Sequence, residues 1–448
     1  MSAYIVKKLF FSGLAVNLSI LVINFITGIL SARYLGPTGR GELAIINQWL
    51  LLLGGLCAFG LPGAVVYMGK TSSNEREYYL GAYLIIAPLA GLIGLVAGEV
   101  FLPYAMGEDA EHVLSLLRVL LITLPCTVLS DGIVGNLQTL NAFKKIMLFK
   151  FSLPVGSLVI MSALIAFNVY NVKNYITIYY LWVMFVLAIL FISLIRMIKP
   201  KFKSVLQYSR QLSKKGVQIF GTVVVGVFSG GLDQIVISML LSSYVLGLYS
   251  VAISIGTIVP SLMIGSLSFY FWPKLMDLNE EERAKKVEDT HSLLFYGSML
   301  VCLCGSIVTY FLLPVLYGNE YLLSIPMAIA FLLVAPFKVA HSILVSYLNT
   351  KGDFNRITIA EIVGLASGIS AMYLLLPVVG NIGAPLGVIV SSLVKWCLMF
   401  YWSYKKGLAA SNMMRIHPKM VRLFIRPAET VKALNILNRK KQKVKGMT

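Results

Sequence analysis

Apolar runs of about 20 residues recur along the whole chain and leave only short polar connectors between them. A helix of that length crosses the hydrocarbon core of a bilayer, where every backbone N–H and C=O must find its partner within the protein. With 58% hydrophobic and only 13% charged residues, the composition is far from that of soluble domains. The pattern therefore predicts an all-α polytopic membrane protein.

We expect about twelve transmembrane helices. The first is retained, because its run is too long for a signal-peptide core and no cleavage pattern follows it. A basic connector divides the spans six and six, which predicts a lobe at 1–198, a linker at 199–215, a lobe at 216–404 and a basic cytoplasmic tail at 405–448. The spans lie at approximately 9–31, 43–69, 78–103, 113–138, 146–169, 175–197, 216–239, 247–271, 291–316, 323–348, 355–378 and 383–404.

Most of the 38 Lys and Arg residues fall in the tail or in connectors that share one side of the membrane. The positive-inside rule then predicts that both termini are cytoplasmic, with only Arg33, Arg40 and Lys173 in outside connectors. Because the net charge of +19 follows this topology, no nucleic-acid partner is expected. We interpret the tail as a segment that lies on the anionic inner leaflet, with a specific docking role as the alternative.

Two short matches indicate an internal repeat. Leu35 and Gly41 are spaced as Leu241 and Gly247 are, 206 residues later, and a Leu-Asn pair recurs 208 residues after Leu140. Since six is even, two six-helix lobes would be related by a parallel repeat with its axis along the membrane normal. Two such lobes around a central cavity suit alternating access.

Ionisable side chains at membrane depth indicate function, because a charge in mid-helix costs about 2.5 to 3.5 kcal/mol. Lys338 and His341 lie one turn apart within "FLLVAPFKVAHSILVSYLNT". The candidate ion-coupling residues are His341 and three carboxylates. If the three carboxylates each pair with one of four deep cations, one positive charge is left over, which suits an anionic cargo. The alternative is that these charges only form structural pairs, such as Arg118 with Asp131. The cations are Arg118, Lys150, Lys338 and Lys395, and the carboxylates are Asp131, Asp233 and Glu361.

Polar residues on helices one and two are candidates for sugar binding, since amides match sugar hydroxyls. Interhelical hydrogen bonding is the other interpretation. The residues are Asn17, Asn24, Asn47 and Gln48, the first two on one face with Gly28 and Ser31. The five cysteines lack metal-type spacing and no nucleotide-binding motif occurs, so we expect no metal or cofactor, and a proton or sodium gradient as the energy source.

The segments "ARYLGPTGRGELAI" and "GLDQIVISMLLSSYVLGLYSVAISI", with the twelve helices, resemble polysaccharide biosynthesis proteins of the O-antigen flippase (Wzx-type) group. That group belongs to the multidrug/oligosaccharidyl-lipid/polysaccharide exporter superfamily, and the resemblance extends to about residue 404. It implies a MATE-like fold in a bacterial inner membrane. It also implies lobes that part near Asn17, Asn24 and Gly247.

The function that the resemblance implies is transfer of an undecaprenyl-pyrophosphate-linked oligosaccharide, an O-antigen, capsule or exopolysaccharide unit, from the cytoplasmic to the outer leaflet. Polysaccharide polymerase and chain-length machinery are the implied partners. A cation-coupled multidrug exporter is the alternative, disfavoured by the deep Lys and Arg. A membrane polymerase or ligase would need a large outside loop that this sequence lacks, so we expect no enzyme activity.

Overall fold

The structure, a computed structural model, describes residues 3–106, 111–276 and 278–416. Over these ranges the chain is helical apart from short turns and loops, and no strand occurs in them. The helices are α1 (Ala3–Cys57), α2 (Leu61–Thr71), α3 (Arg76–Ala105), α4 (Glu111–Leu121), α5 (Leu124–Thr139), α6 (Phe143–Ala166), α7 (Val172–Ile195), α8 (Val205–Leu240), α9 (Ser243–Gly256), α10 (Ile258–Met276), α11 (Glu280–Tyr317), α12 (Ser324–Thr350), α13 (Phe354–Val379), α14 (Gly383–Lys405) and α15 (Ala410–Met413).

Seven helical segments in the described part of the chain are long and apolar enough to cross a membrane, or nine if each of two bent pairs forms one span. The bent pairs, α4 with α5 and α9 with α10, lie on the predicted fourth and eighth spans. One segment, Phe354–Lys405, contains both the eleventh and the twelfth predicted span. The all-α polytopic fold is confirmed, and the number twelve stays a prediction.

The connector expected between the first two spans is a sharp break inside α1. Gly36 has φ 66° and ψ −178°, a conformation that favours glycine, and Pro37 follows it. Helix then resumes at once. The predicted second span breaks again at Phe59 and Gly60, whose φ angles are 46° and 69°, before α2 begins.

The described chain forms two compact units. The first unit comprises Met1–Ile255, Thr309–Ala330 and Leu365–Ser391; the second comprises Gly256–Val308, Phe331–Gly364 and Ser392–Thr448. These boundaries differ from those of the predicted six-helix lobes, because parts of α11, α12, α13 and α14 belong to each unit. The division into lobes stays a prediction.

In the first unit, small residues let the helices approach closely. Tyr83 of α3 is fully buried against α5, where a Cβ on Gly132 would lie 1.9 Å from the Tyr83 Cζ atom. The Tyr83 hydroxyl donates to the Val128 carbonyl, which links the two helices at that point. The contact between α3 and α5 thus combines close packing with a satisfied polar group.

Contacts within the first unit join connectors that the predicted topology puts on the same side. On the inside, Lys201 pairs with Glu77 at 2.5 Å and Lys70 donates to Asn141 at 2.8 Å. On the outside, the Arg33 guanidinium donates from Nε to the Leu316 carbonyl at 2.7 Å. Each contact agrees with the predicted alternation of the spans.

In the second unit, the chain after α14 docks onto α11. The Glu288 carboxylate accepts from the Ala409 N–H at 2.6 Å and from the Asn412 side chain at 2.8 Å. Met413 is fully buried, and its carbonyl lies 3.1 Å from Nδ1 of His291. A cavity of about 520 Å³ adjoins this contact. The predicted tail therefore begins with a specifically docked segment up to residue 416, and the remainder, 417–448, lies outside the described residues.

Candidate functional site

Three of the predicted residues meet in the second unit, each from a different helix. Lys395 of α14 places its Nζ 2.7 Å from Oε2 of Glu361 on α13. His341 of α12 places its Nε2 3.5 Å from Oε1 of the same carboxylate. All three side chains are about 15% exposed, between 14% and 15%. Glu361 thus lies between a permanent cation and a titratable imidazole.

Local sequence explains why Lys395 reaches Glu361. Gly364 lies one turn after Glu361 on α13, and a Cβ there would come within 2.2 Å of the Lys395 Cγ atom. The missing side chain leaves room for the lysine stem to run along α13 to the carboxylate. The sequence reading did not single out Gly364, although its spacing of three from a mid-span glutamate is visible in the sequence.

The arrangement allows two states of charge. With neutral His341, Glu361 and Lys395 form a neutralised pair; with protonated His341, two cations share one carboxylate. Among the residues that the structure describes, no group of three His, Cys, Asp or Glu is placed to hold a metal ion.

Lys338 lies on α12, one turn before His341, and is half-buried. Its Nζ lies 5.7 Å from the centroid of the Phe331 ring, which is within cation–π range. The Phe331 ring on one side of the ammonium is compatible with a lysine that binds a polar ligand on its other side.

Charged residues of the first unit form separate pairs. Arg118 lies 3.4 Å from Glu99, and not against Asp131 as the alternative interpretation supposed; these side chains are 45% and 40% exposed. Asp131 and Lys150 are both exposed and interact electrostatically. Glu99, which was not among the predicted carboxylates, is therefore the partner of Arg118.

Asp233 lies near a break in α8, where Gly231 has φ −179° and ψ 15°. Its Oδ2 accepts from the Tyr249 hydroxyl at 2.5 Å. Gln48 packs at the same break, since a Cβ on Gly231 would lie 2.3 Å from Gln48 Oε1. Of the four predicted sugar-binding residues, only Gln48 therefore lies at the same helix break as Asp233. The other three, Asn17, Asn24 and Asn47, are exposed.

Arg40 is the residue that the sequence reading missed, because hydropathy assigned it to a connector. It lies in α1 just after the Gly36 break and is half-buried, and its Nη1 donates to Ser31 Oγ at 3.0 Å. The Nε atom is buried and no described residue accepts from it. Gly36 and Pro37 are the signal in the sequence, because proline is favoured in the first turn of a helix and so indicates that a new helix begins here.

Comparison with solved structures identifies the fold. The fold matches a lipid II flippase, MurJ, in its inward closed conformation, with a TM-score of 0.74 at 15% identity over 93% of this chain and 92% of that one. It also matches an inward-facing multidrug resistance MATE family transporter of the MOP superfamily, with a TM-score of 0.66 at 14% identity over 88% and 98% of the two chains. The protein is a multi-pass helical membrane protein with this transporter fold.

The family follows from the sequence. The family described as "Polysaccharide biosynthesis protein" matches residues 6–276, more than half of the chain, and the protein belongs to that family. The chain is also 23% identical over 393 residues to the capsular polysaccharide biosynthesis protein CapF of Staphylococcus aureus, covering 79% of this chain and 96% of that protein. The resemblance noted from the two quoted segments is confirmed.

Proposed function

We propose that the protein is a flippase that moves an undecaprenyl-pyrophosphate-linked oligosaccharide from the cytoplasmic to the outer leaflet of a bacterial inner membrane. The cargo would be an O-antigen, capsule or exopolysaccharide unit, and both termini would be cytoplasmic. Membership of the polysaccharide biosynthesis family supports the cargo class, and the transporter fold supports movement across the membrane. Assembly with a polysaccharide polymerase and chain-length machinery belongs to the same proposal.

The observation that carries the transport mechanism is the contact of Glu361 with both Lys395 and His341. Ionisable groups within transmembrane helices are costly, and they are retained where they serve ion or substrate pathways. Protonation of His341 would compete with Lys395 for the carboxylate and so weaken the bond between α13 and α14. A proton gradient would in this way bias the protein between two conformations.

Lys338 would contact the pyrophosphate or an acidic sugar from α12, because an ammonium is attracted to phosphate oxygens. In the first unit, Lys150 would be the binding cation, and Gln48 would bind sugar hydroxyls. Asp131 and Asp233 remain alternative coupling groups. Arg118 has the weakest support of the predicted binding cations, because it pairs with Glu99.

A cation-coupled multidrug exporter is the second candidate, and its fold match favours it as an alternative. The two functions differ in the sign of the charge on the cargo. A lipid-linked pyrophosphate needs cations, whereas a cationic drug needs carboxylates that are not neutralised. The pairing of Glu361 with Lys395 neutralises this carboxylate and so disfavours the binding of a cationic drug there.

The proposal is tested by complementation of a bacterium that lacks its own oligosaccharide flippase and makes the matching lipid-linked unit. We expect the wild-type gene to restore surface polysaccharide and Lys338→Ala to reduce it, with Lys338→Arg, which keeps the charge, as the matched control. Equal membrane abundance of the variants is checked by immunoblot. A Lys338→Ala protein that inserts normally and restores full surface polysaccharide would remove the assignment of Lys338.

A further inference from the structure

The guanidinium of Arg40 has donors that the protein does not use. Arginine has five N–H donors and no acceptor, and here Nη1 donates to Ser31 Oγ at 3.0 Å. Nε is buried and has no acceptor in the described part of the chain. No described carboxylate forms an ion pair with Arg40 either. Gly28 lies beside the fork, because a Cβ there would be in van der Waals contact with Nη2 at 3.9 Å.

Tyrosines from two other connectors surround this charge. Tyr317, at the end of α11, is 2% exposed, and its buried hydroxyl has no partner in the described ranges. The same holds for the hydroxyl of Tyr170, just before α7. Each ring packs against a second tyrosine ring. Tyr170 contacts Tyr175 and Tyr317 contacts Tyr321, and in each pair the ring centroids are 6.0 Å apart.

These tyrosines pack against the part of α1 that carries Arg40 and Ser31. The Tyr321 hydroxyl donates to the Ala32 carbonyl at 3.2 Å, and the ring centroids of Tyr170 and Tyr317 lie 6.4 Å from that of Tyr34 and 6.5 Å from that of Phe25, respectively. Burial raises the pKa of Tyr170 and of Tyr321, and the charge of Arg40 acts in the opposite direction on both. Arg40 also interacts with Tyr317 and Tyr175. Three donors without acceptors, namely Arg40 Nε and the hydroxyls of Tyr170 and Tyr317, therefore belong to one neighbourhood of the first unit.

Buried donors that lack acceptors are rare in folded proteins and call for a partner. Several acceptors with negative charge would satisfy all three at once, and a phosphate group offers them in a geometry that a guanidinium binds through two parallel hydrogen bonds. A neutral sugar would supply oxygens but leave the charge of Arg40 uncompensated. Glu320 lies beside Gly36 but is exposed and forms no ion pair with Arg40 in the described structure.

We propose that Arg40, Tyr170 and Tyr317 form a binding site for a phosphate-class anion in the first unit. The identity of the natural ligand rests on the proposed function: it is the pyrophosphate of the lipid carrier. The break in α1 and the connectors that carry Tyr170 and Tyr317 all lie on the predicted outer side. The site would then hold the head group after it has crossed the membrane. Free pyrophosphate has the same chemistry.

The test measures binding of inorganic pyrophosphate, by isothermal titration calorimetry, to the full chain in phosphatidylcholine nanodiscs. We expect Arg40→Gln to weaken binding at least about tenfold and Tyr317→Phe about threefold, since a hydrogen bond to a charged partner contributes more than a neutral one. Lys173→Gln removes a charge from the same predicted side, in the connector after Tyr170, and should stay within about twofold. Thermal unfolding of each variant shows that it is folded. Arg40→Lys, which keeps the charge without the fork, should bind with intermediate affinity and gives a second, conservative variant.

A second experiment uses nanodiscs that contain undecaprenyl pyrophosphate, with undecaprenol as the uncharged control. It measures how far the lipid protects the first unit from amide hydrogen exchange. The site is supported if either probe binds wild type and binds Arg40→Gln more weakly. If only binding of the lipid probe is weakened by Arg40→Gln, the site is specific for the lipid carrier. Absence of binding of both probes, or equal loss in Arg40→Gln and Lys173→Gln, would overturn it. A protein that binds pyrophosphate through Arg40 but moves no lipid-linked sugar would refute the flippase and leave the site standing.

Discussion

Gly41 and Gly247 make reciprocal contacts in the first unit. A Cβ on Gly41 would lie 1.7 Å from the Ser243 carbonyl oxygen, and a Cβ on Gly247 would lie 1.8 Å from the Pro37 carbonyl oxygen. The shift of 206 residues that relates the two matched segments converts Pro37 to Ser243 and Gly41 to Gly247. Each contact is therefore the repeat equivalent of the other, as a local twofold axis requires. This geometry supports the predicted parallel repeat.

We predict that Gly41→Ala and Gly247→Ala each destabilise the protein, because a methyl group cannot fit against a backbone carbonyl without a shift of one helix. Overpacking typically costs about 1 to 3 kcal/mol, which corresponds to a loss of several degrees in Tm. The measurement is thermal unfolding in detergent. Gly226→Ala is the control, since nothing lies within 4 Å of a Cβ at that position of α8. Equal tolerance of all three substitutions would contradict the close contact.

Removal of one partner of the Glu361 and Lys395 pair should destabilise the second unit. Breaking a buried pair leaves an uncompensated charge and costs up to about 3 to 5 kcal/mol, less where some exposure remains. We expect Lys395→Gln to lower the free energy of unfolding clearly, and the double variant with Glu361→Gln to recover most of the loss. The control is Lys351→Gln, whose partner Glu280 is 81% exposed, with an expected cost of about 0 to 1 kcal/mol. No recovery in the double variant would show that the pair is not the cause.

Glu288 should hold the segment after α14 against α11. We predict that Glu288→Ala speeds amide hydrogen exchange in residues 408–416, because the Ala409 N–H and the Asn412 amide lose their acceptor, at a cost of about 1 to 3 kcal/mol. Hydrogen exchange with mass spectrometry measures this directly. Glu282→Ala, on the exposed start of the same helix, serves as the control. Exchange as slow as in wild type would mean that burial of Leu408 and Met413 alone holds the segment.

Asp353, in the connector between α12 and α13, should make stability depend on pH. The hydrogen bond from Lys406 at 2.8 Å, helped by Arg356 at 3.1 Å, holds the pKa of Asp353 below its ordinary value, although burial acts to raise it. Because the folded pKa is the lower one, ionised Asp353 stabilises the protein above the unfolded value of about 3.9, and this contribution is lost as the pH falls through the folded pKa.

We therefore predict that Asp353→Asn lowers Tm between pH 5 and pH 7 by about 1 to 4 °C, and that the difference from wild type closes as the pH falls below about 4. The measurement is a pH series of thermal unfolding curves, with the exposed Glu282→Gln as the control. A difference that stays constant, or grows towards low pH, would contradict the assignment.

Much of the fold could be predicted from hydropathy, because bilayer thickness fixes the length of each span. The breaks could not. Gly36 and Pro37 were taken for the centre of a loop, although a single glycine at positive φ is enough to redirect a helix that continues on both sides. The bend of 53° between α4 and α5 lies at Thr123, just before Pro125 in the first turn of α5, and hydropathy alone did not predict it.

The candidate site was predicted in its members but not in its arrangement. His341, Glu361 and Lys395 each stood out as charges at membrane depth, yet which helix faces which depends on rotation and on the space left by Gly364. Arg118 was predicted as a binding cation because it lies at membrane depth, and the sequence alone did not show that Glu99 of α3 pairs with it. Arg40 was missed since its neighbours, Tyr170 and Tyr317, come from distant parts of the chain.

The central claim is that the protein moves a lipid-linked oligosaccharide and that Glu361 couples this to protons. The most direct measurement follows a fluorescent undecaprenyl-pyrophosphate-linked oligosaccharide between the leaflets of proteoliposomes, with and without an imposed proton gradient. We predict transfer above that of protein-free vesicles, accelerated by the gradient in wild type and not in Glu361→Gln. Absence of transfer, together with efflux of a cationic dye from the same vesicles, would contradict the account and identify a multidrug exporter.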